Sequence, residues 1–219
     1  MTDNTDPGRP TAAATADPAA AIPPRTTLIG DPAILDRPLL ALFCSVTCPG
    51  DLILRLYDLA RDLRDAGVPV VSGFHTPMER ECLALLLRGS QPVVVCPARG
   101  IAGMRLPPAW KAPLATGRLL VLSPFPAETR RPTVALAGRR NALVTDLATQ
   151  TLIAYARPGG ATHRLAADLA AAGTPPRTLD HPANAHLLAL GAAPFALADF
   201  SALSTRPRAV RATRGSPIR

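Results

Sequence analysis

The sequence predicts one α/β domain, doubly wound around a mainly parallel sheet. Two observations carry this. From Leu39 to Leu190 short apolar runs alternate with amphipathic stretches, the rhythm of repeated strand–helix units. The runs are apolar throughout, and only 4% of the chain is aromatic, so the core must come from Leu, Val, Ala and Ile. That suits strands covered by helices on both faces. A chain of 219 residues with 47% hydrophobic content has enough apolar material for one such core.

Residues 1–34 are rich in Pro, Ala and Thr without a hydrophobic period and are expected to be disordered. The first strand is read at Leu39–Ser45. A helix follows from Asp51 to Ala66, with Leu52, Leu56, Leu59 and Leu63 as its apolar stripe. Gly67 closes it, and Val68–Ser72 is the second strand. Thr76 reads as the cap of the next helix, with Pro77 at its first position and Glu79 in its first turn. Pro92–Cys96 and Arg118–Leu122 are the third and fourth strands, separated by an irregular stretch around Trp110. A helix from Pro132 to Ala148 and a fifth strand at Thr151–Ala156 come next. The series ends with a helix over 162–172, a short strand at Pro176–Leu179 and a last helix at His181–Leu190. This is a Rossmann-like domain over 35–192, followed by an Arg-rich tail over 193–219.

In such a sheet, ligands sit at the carboxyl ends of the strands, where glycine turns and helix amino ends meet phosphates. Three loops have that form: Ser45–Gly50, Ser72-Gly73-Phe74-His75-Thr76 and Pro158-Gly159-Gly160-Ala161-Thr162. They make Ser45, Ser72, Gly73, His75, Gly159, Gly160 and Thr162 candidate phosphate-binding residues. Arg140 and Asn141 join them, because the arginine fork matches phosphate oxygens. No G-x-G-x-x-G and no G-x-x-x-x-G-K-[ST] is present, which argues against dinucleotide dehydrogenases and Walker ATPases. His75 acts as an acid or base only with a partner, for which Glu79 or Glu81 is near in sequence. No catalytic residue is assigned.

The formal charge of +8 is unevenly placed: no acidic residue follows Asp199, while Arg206, Arg208, Arg211, Arg214 and Arg219 do. A basic tail of this kind suits phosphate backbones or a solvated end. Cys44, Cys48, Cys82 and Cys96 lack the spacing of a zinc site and read as buried or neutral thiols; no metal and no cofactor is expected. The amino end lacks the basic-then-apolar pattern of a signal peptide, and no apolar run is long enough to span a bilayer, so a cytoplasmic protein without a membrane partner is expected.

An ordered set of residues carries a family resemblance. Ala66-Gly67 precedes Val70-Val71-Ser72-Gly73, and Pro92–Cys96 follows; then come Arg140-Asn141, the strand Thr151–Ala156, Gly159-Gly160, and Leu187-Leu188 before Gly191-Ala192. Over residues 39–192 this resembles the Rossmann-like domain of the DNA-processing protein A (DprA/Smf) family, within a wider group that includes the Lonely-Guy (LOG) nucleotide hydrolases. The resemblance implies single-stranded DNA binding, a RecA-type recombinase as partner, a role in DNA recombination and transformation, and a homodimer. The sequence departs from the family after Ser-Gly, reading Phe74-His75-Thr76-Pro77-Met78-Glu79, and has Ala142 where a second arginine is usual. No segment reads as the terminal modules that many members carry, so a shortened, divergent relative is expected.

The Lonely-Guy hydrolases supply the competing reading, a nucleotide sensor or phosphoribohydrolase. Pro158-Gly159-Gly160 and Thr162 match their loop, but Leu165 stands near where they need a carboxylate, and the nearest acid is Asp168. The loops keep gripping residues while that carboxylate is displaced, which favours binding over catalysis. Phe74, Trp110, Phe125 and Tyr155 are the aromatics available for stacking on bases.

Overall fold

The computed structural model describes residues 22–204. Eight strands form one sheet: β1 Thr27–Gly30, β2 Leu40–Cys44, β3 Val70–Ser72, β4 Val93–Val95, β5 Leu119–Ser123, β6 Gln150–Tyr155, β7 Arg177–Thr178 and β8 Ala193–Pro194. Their spatial order is β1-β5-β4-β3-β2-β6-β7-β8, and every neighbouring pair is parallel except β1 with β5. The helices are α1 Gly50–Asp65, α2 Pro77–Leu86, α3 Pro108–Ala115, α4 Val134–Leu147, α5 Ala161–Ala171, α6 Ala185–Ala189 and α7 Leu197–Ser204.

The apolar strands divide their side chains between two cores. Leu40, Leu42 and Cys44 of β2, Val70 of β3, Val93 and Val95 of β4, and Leu119 and Val121 of β5 pack on one face, against α1 and α2. Ala41, Phe43, Val71, Val94, Leu120 and Leu122 point the other way, against α4, α5 and α6. The period of two that puts successive residues on opposite faces therefore buries every residue of these strands, which is why they show no polar alternation. Helix α1 buries Leu52, Leu56, Leu59, Ala60 and Leu63, the expected stripe. Thr76 and Glu79 form a complete capping box on α2, with Pro77 in its first turn.

Two boundaries differ from the sequence expectation. The segment 1–34, expected to be disordered, contains β1 and the start of a 3-10 turn, Pro32–Asp36, that buries Ile34 and Leu35. Only four residues long and half exposed, β1 has no period to read; its order comes from its ladder with β5, whose paired residues lie 90 or more positions away in the chain. Gly30, at φ +113°, lets β1 lie close, since a Cβ there would sit 2.2 Å from the Leu119 carbonyl oxygen. The segment 193–219, expected to be a tail, begins with β8 and α7. Residues 1–21 and the arginines from Arg206 onward lie outside the described residues. Among the described residues no helix is long and apolar enough to cross a membrane.

Candidate functional site

The strand order reverses between β2 and β6, the neighbours at the centre of the sheet. A crevice opens there above the carboxyl ends, because the chain leaves the two strands toward opposite faces. The loops after β2 and β6 are tied together: the Ser45 amide donates to the Tyr155 carbonyl (2.9 Å), and the Arg157 amide donates to Ser45 Oγ (2.9 Å). A cleft of about 860 Å³ lies beside this junction. It is walled by the β2–α1 loop, the α4 face bearing Gly138 and Asn141, and the amino end of α5.

Of the residues singled out from sequence, Ser45, His75, Asn141, Gly160 and Thr162 line the cleft; Ser72, Gly73, Arg140 and Gly159 do not. The absent four have other work. Ser72 Oγ donates to the Leu42 carbonyl (2.6 Å) and accepts from the Phe74 amide (3.3 Å), stitching β3 to β2 beneath the loop. Gly159, at φ +71°, makes the left-handed turn that sends the chain into α5. Arg140, read from sequence as a phosphate clamp, is 1% exposed. Its Nε donates to Asn141 Oδ1 (2.7 Å), its Nη1 to the Cys96 carbonyl (3.2 Å), and its Nη2 lies 3.1 Å from His75 Nδ1. The guanidinium is a brace across the ends of β3 and β4 rather than a group facing an anion, and Gly73 is what admits it: a Cβ at Gly73 would stand 1.3 Å from Arg140 Nη1.

Glu79 is the counterpart of this buried cation, itself only 2% exposed. One carboxylate oxygen accepts from the Cys44 amide (3.1 Å); the other accepts from the His75 amide (2.9 Å) and faces His75 Nδ1 (3.1 Å). Burial works to raise its proton affinity, but the contacts with His75 and the amide donors prevail and hold the carboxyl below the usual glutamate range. Burial lowers the Arg140 guanidinium from its ordinary value, opposed by the nearby Glu79 charge. Nδ1 of His75 faces both partners, so this one nitrogen either donates to the carboxylate or accepts from the guanidinium, and the residue lines the cleft. Phe74 is held at φ +46°, the one left-handed non-glycine backbone among the described residues. That conformation costs on the order of 1–2 kcal/mol. It drops the Phe74 ring into the core and leaves the His75 side chain half exposed at the cleft.

Sequence reasoning passed over Arg157, Arg164 and Thr47, which also line the cleft. The signal was present, since Arg157 directly follows the strand read at Thr151–Ala156 and precedes the glycine pair of an already suspected loop. Arg164 Nη1 donates to the Gly159 carbonyl (2.8 Å), bracing the turn. Gly160 caps α5 without a side chain, so no capping oxygen competes for the first amides of that helix. The cleft therefore combines an electropositive end, built from Arg157, Arg164 and the α5 amides, with aliphatic walls that include Val46 and Val134, 66% and 82% exposed. Asp168 stands on the same α5 face. Of the aromatics proposed for stacking, Phe74 and Phe125 are core residues at 5% and 1% exposure. Among the described residues no group of three or more His, Cys, Asp or Glu side chains is placed to hold a metal ion.

No protein-family model matches the sequence, and no curated protein matches it. Solved structures do match its fold. DNA processing protein A from Helicobacter pylori superposes with a TM-score of 0.66 over 91% of this chain and 94% of that one, at 20% identity. The Streptococcus pneumoniae protein of the same name also gives 0.66, over 81% of this chain, at 16% identity; the chain spans 65% of its length. The chain thus has the α/β fold of DNA processing protein A. The Helicobacter protein binds single-stranded DNA.

Proposed function

We propose that this chain is a DprA-like, single-strand DNA-binding protein without catalytic activity, and that the cleft between the β2 and β6 loops holds one phosphate-bearing unit of the strand. The observation that supports it most is the composition of the cleft at the switch point. Arg157 and the uncapped amino end of α5 offer donors to a phosphate, Thr162 and Asn141 flank them, and Val46 and Val134 present apolar surface to a base or sugar. The fold shared with single-strand DNA-binding DNA processing protein A agrees with it. In this reading Ser45, Gly160, His75, Asn141 and Thr162 shape the anion site. Ser72, Gly73, Arg140 and Gly159 act beneath it, as positioning residues. A RecA-type recombinase partner, a homodimer and a cytoplasmic location belong to the same reading.

Titration of the full chain with fluorescein-labelled oligothymidylate at several salt concentrations tests it. Binding should weaken with salt, and Arg157→Ala should lower affinity while reducing the salt slope by about 1. Absence of binding at low salt would overturn the proposal.

One observation favours a second reading. Asp168 reaches the cleft wall, so a carboxylate is available to a bound nucleoside monophosphate after all. Release of free base from a panel of nucleoside monophosphates, lost in Asp168→Asn, would establish that phosphoribohydrolase reading. No release would leave DNA binding as the better account.

A further inference from the structure

Three of the four cysteines gather on one side of the sheet. Cys44, the last residue of β2, and Cys82 of α2 belong to the core over α1 and α2, and Cys48 packs against it from the loop between β2 and α1. Cys96 belongs to the opposite core. All four are free thiols. Cys48 differs from the others in being only partly buried, on the rim of an open pocket of about 540 Å³ shared with Pro49, Met78 and Tyr155. Its side chain meets that of Cys44, four residues earlier. A reactive thiol with solvent access and a second thiol in contact behind it is the arrangement a sensing pair requires.

We propose that Cys48 is a peroxide-reactive thiol and Cys44 its resolving partner, the two closing a reversible disulfide across the β2–α1 loop. In the first step the Cys48 thiolate attacks one oxygen of hydrogen peroxide. The O–O bond breaks, hydroxide leaves and becomes water, and Cys48 carries a sulfenic acid. The Cys44 sulfur then attacks the Cys48 sulfur, the S–O bond breaks, and the departing hydroxide takes the Cys44 proton as a second water. Two thiols have lost two electrons and two protons, and one peroxide has become two waters.

The division of roles follows from surroundings. The contact with Cys44 lowers the Cys48 thiol from its ordinary value, against burial and the Asp51 charge, which oppose it. The same contact, with burial and the nearby Glu79 charge, pushes Cys44 up, so it waits protonated until an electrophilic sulfur stands beside it. Burial pushes Cys82 and Cys96 each up to about 12, which leaves them as unreactive references within the same chain. Val46 and Thr47 of the cleft wall lie inside the ring that the bond closes.

The full chain is treated with a small molar excess of hydrogen peroxide, alkylated after denaturation, and digested with trypsin. Cys44 and Cys48 fall in one peptide, Thr26–Arg55, because Arg37 precedes a proline. That peptide should lack two hydrogens and carry no alkyl group, and should regain both alkylation sites after dithiothreitol, while Cys82 and Cys96 stay fully alkylated. Cys48→Ser, at a partly buried position and checked for folding by its melting curve, should cut thiol oxidation at least about tenfold. Cys44→Ser, checked for folding by its melting curve, should leave a Cys48 sulfenic acid that dimedone traps. The proposal is overturned if Cys44 and Cys48 stay alkylatable at peroxide levels that oxidise glutathione. It is equally overturned if the disulfide formed joins Cys82 or a second chain.

Discussion

Replacing Gly73 with alanine isolates the brace under the cleft. Gly73 is not among the glycines with a left-handed backbone, so alanine meets no conformational penalty there and would by itself be slightly stabilising. Its Cβ, however, would stand 1.3 Å from Arg140 Nη1, 2.1 Å from Cζ and 2.8 Å from Nη2. The guanidinium must leave, giving up its bonds to the Cys96 carbonyl and Asn141 Oδ1 and its contact with His75. Hydrogen bonds of a charged donor contribute about 1.5–3 kcal/mol each, partly recovered if the displaced side chain reaches water. The expected cost is about 2–4 kcal/mol, or a fall in Tm of roughly 5–15 °C for a chain of this size. Urea denaturation followed by circular dichroism measures it, and a double-mutant cycle decides the cause. In an Arg140→Met background the same Gly73→Ala change should cost less than about 0.5 kcal/mol, since nothing remains to clash. Equal costs in both backgrounds would refute the account of why glycine is needed at this position.

Three other outcomes follow from the same network. Glu79 has its carboxyl held below the usual range, so the stability it contributes is fully present above its unfolded pKa and is lost as pH falls through its lower folded value; Tm measured from neutral pH downward should drop less steeply in Glu79→Gln, from a starting stability lower by about 2–4 kcal/mol. Arg140→Lys should also destabilise by about 2–3 kcal/mol, because an ammonium cannot serve Cys96, Asn141 and His75 from one planar fork, and a thermal melt checks this. Ser45→Ala removes the acceptor of the Arg157 amide at a cost of about 1 kcal/mol; hydrogen exchange at that amide should accelerate, and unchanged exchange would show that Ser45 does not tie the two loops.

Much of the fold was written in local spacing. The strands from Leu40 to Tyr155 were legible because residues covered on both faces have to be apolar throughout, and α1 because leucines at helical spacing mark its buried stripe. The capping box was legible too, since Thr76, Pro77 and Glu79 satisfy one another within four residues. β1, β8 and α7 were not: short segments take their order from partners distant in the chain, and no local pattern records that. For the candidate site, sequence alone pointed to the loops after β2, β3 and β6, and residues of all three line the cleft. Only the tertiary structure decided what each residue does there. Glu79 receives the amide of Cys44, 35 positions earlier, and Arg140 reaches His75, 65 positions away. The cations that line the cleft are Arg157 and Arg164, while the more suggestive Arg140 is buried. Sequence pattern determines which segments become strands and helices, because that depends on neighbours along the chain. Which arginine lines the cleft depends on how strand ends meet in space, and only the assembled sheet fixes that.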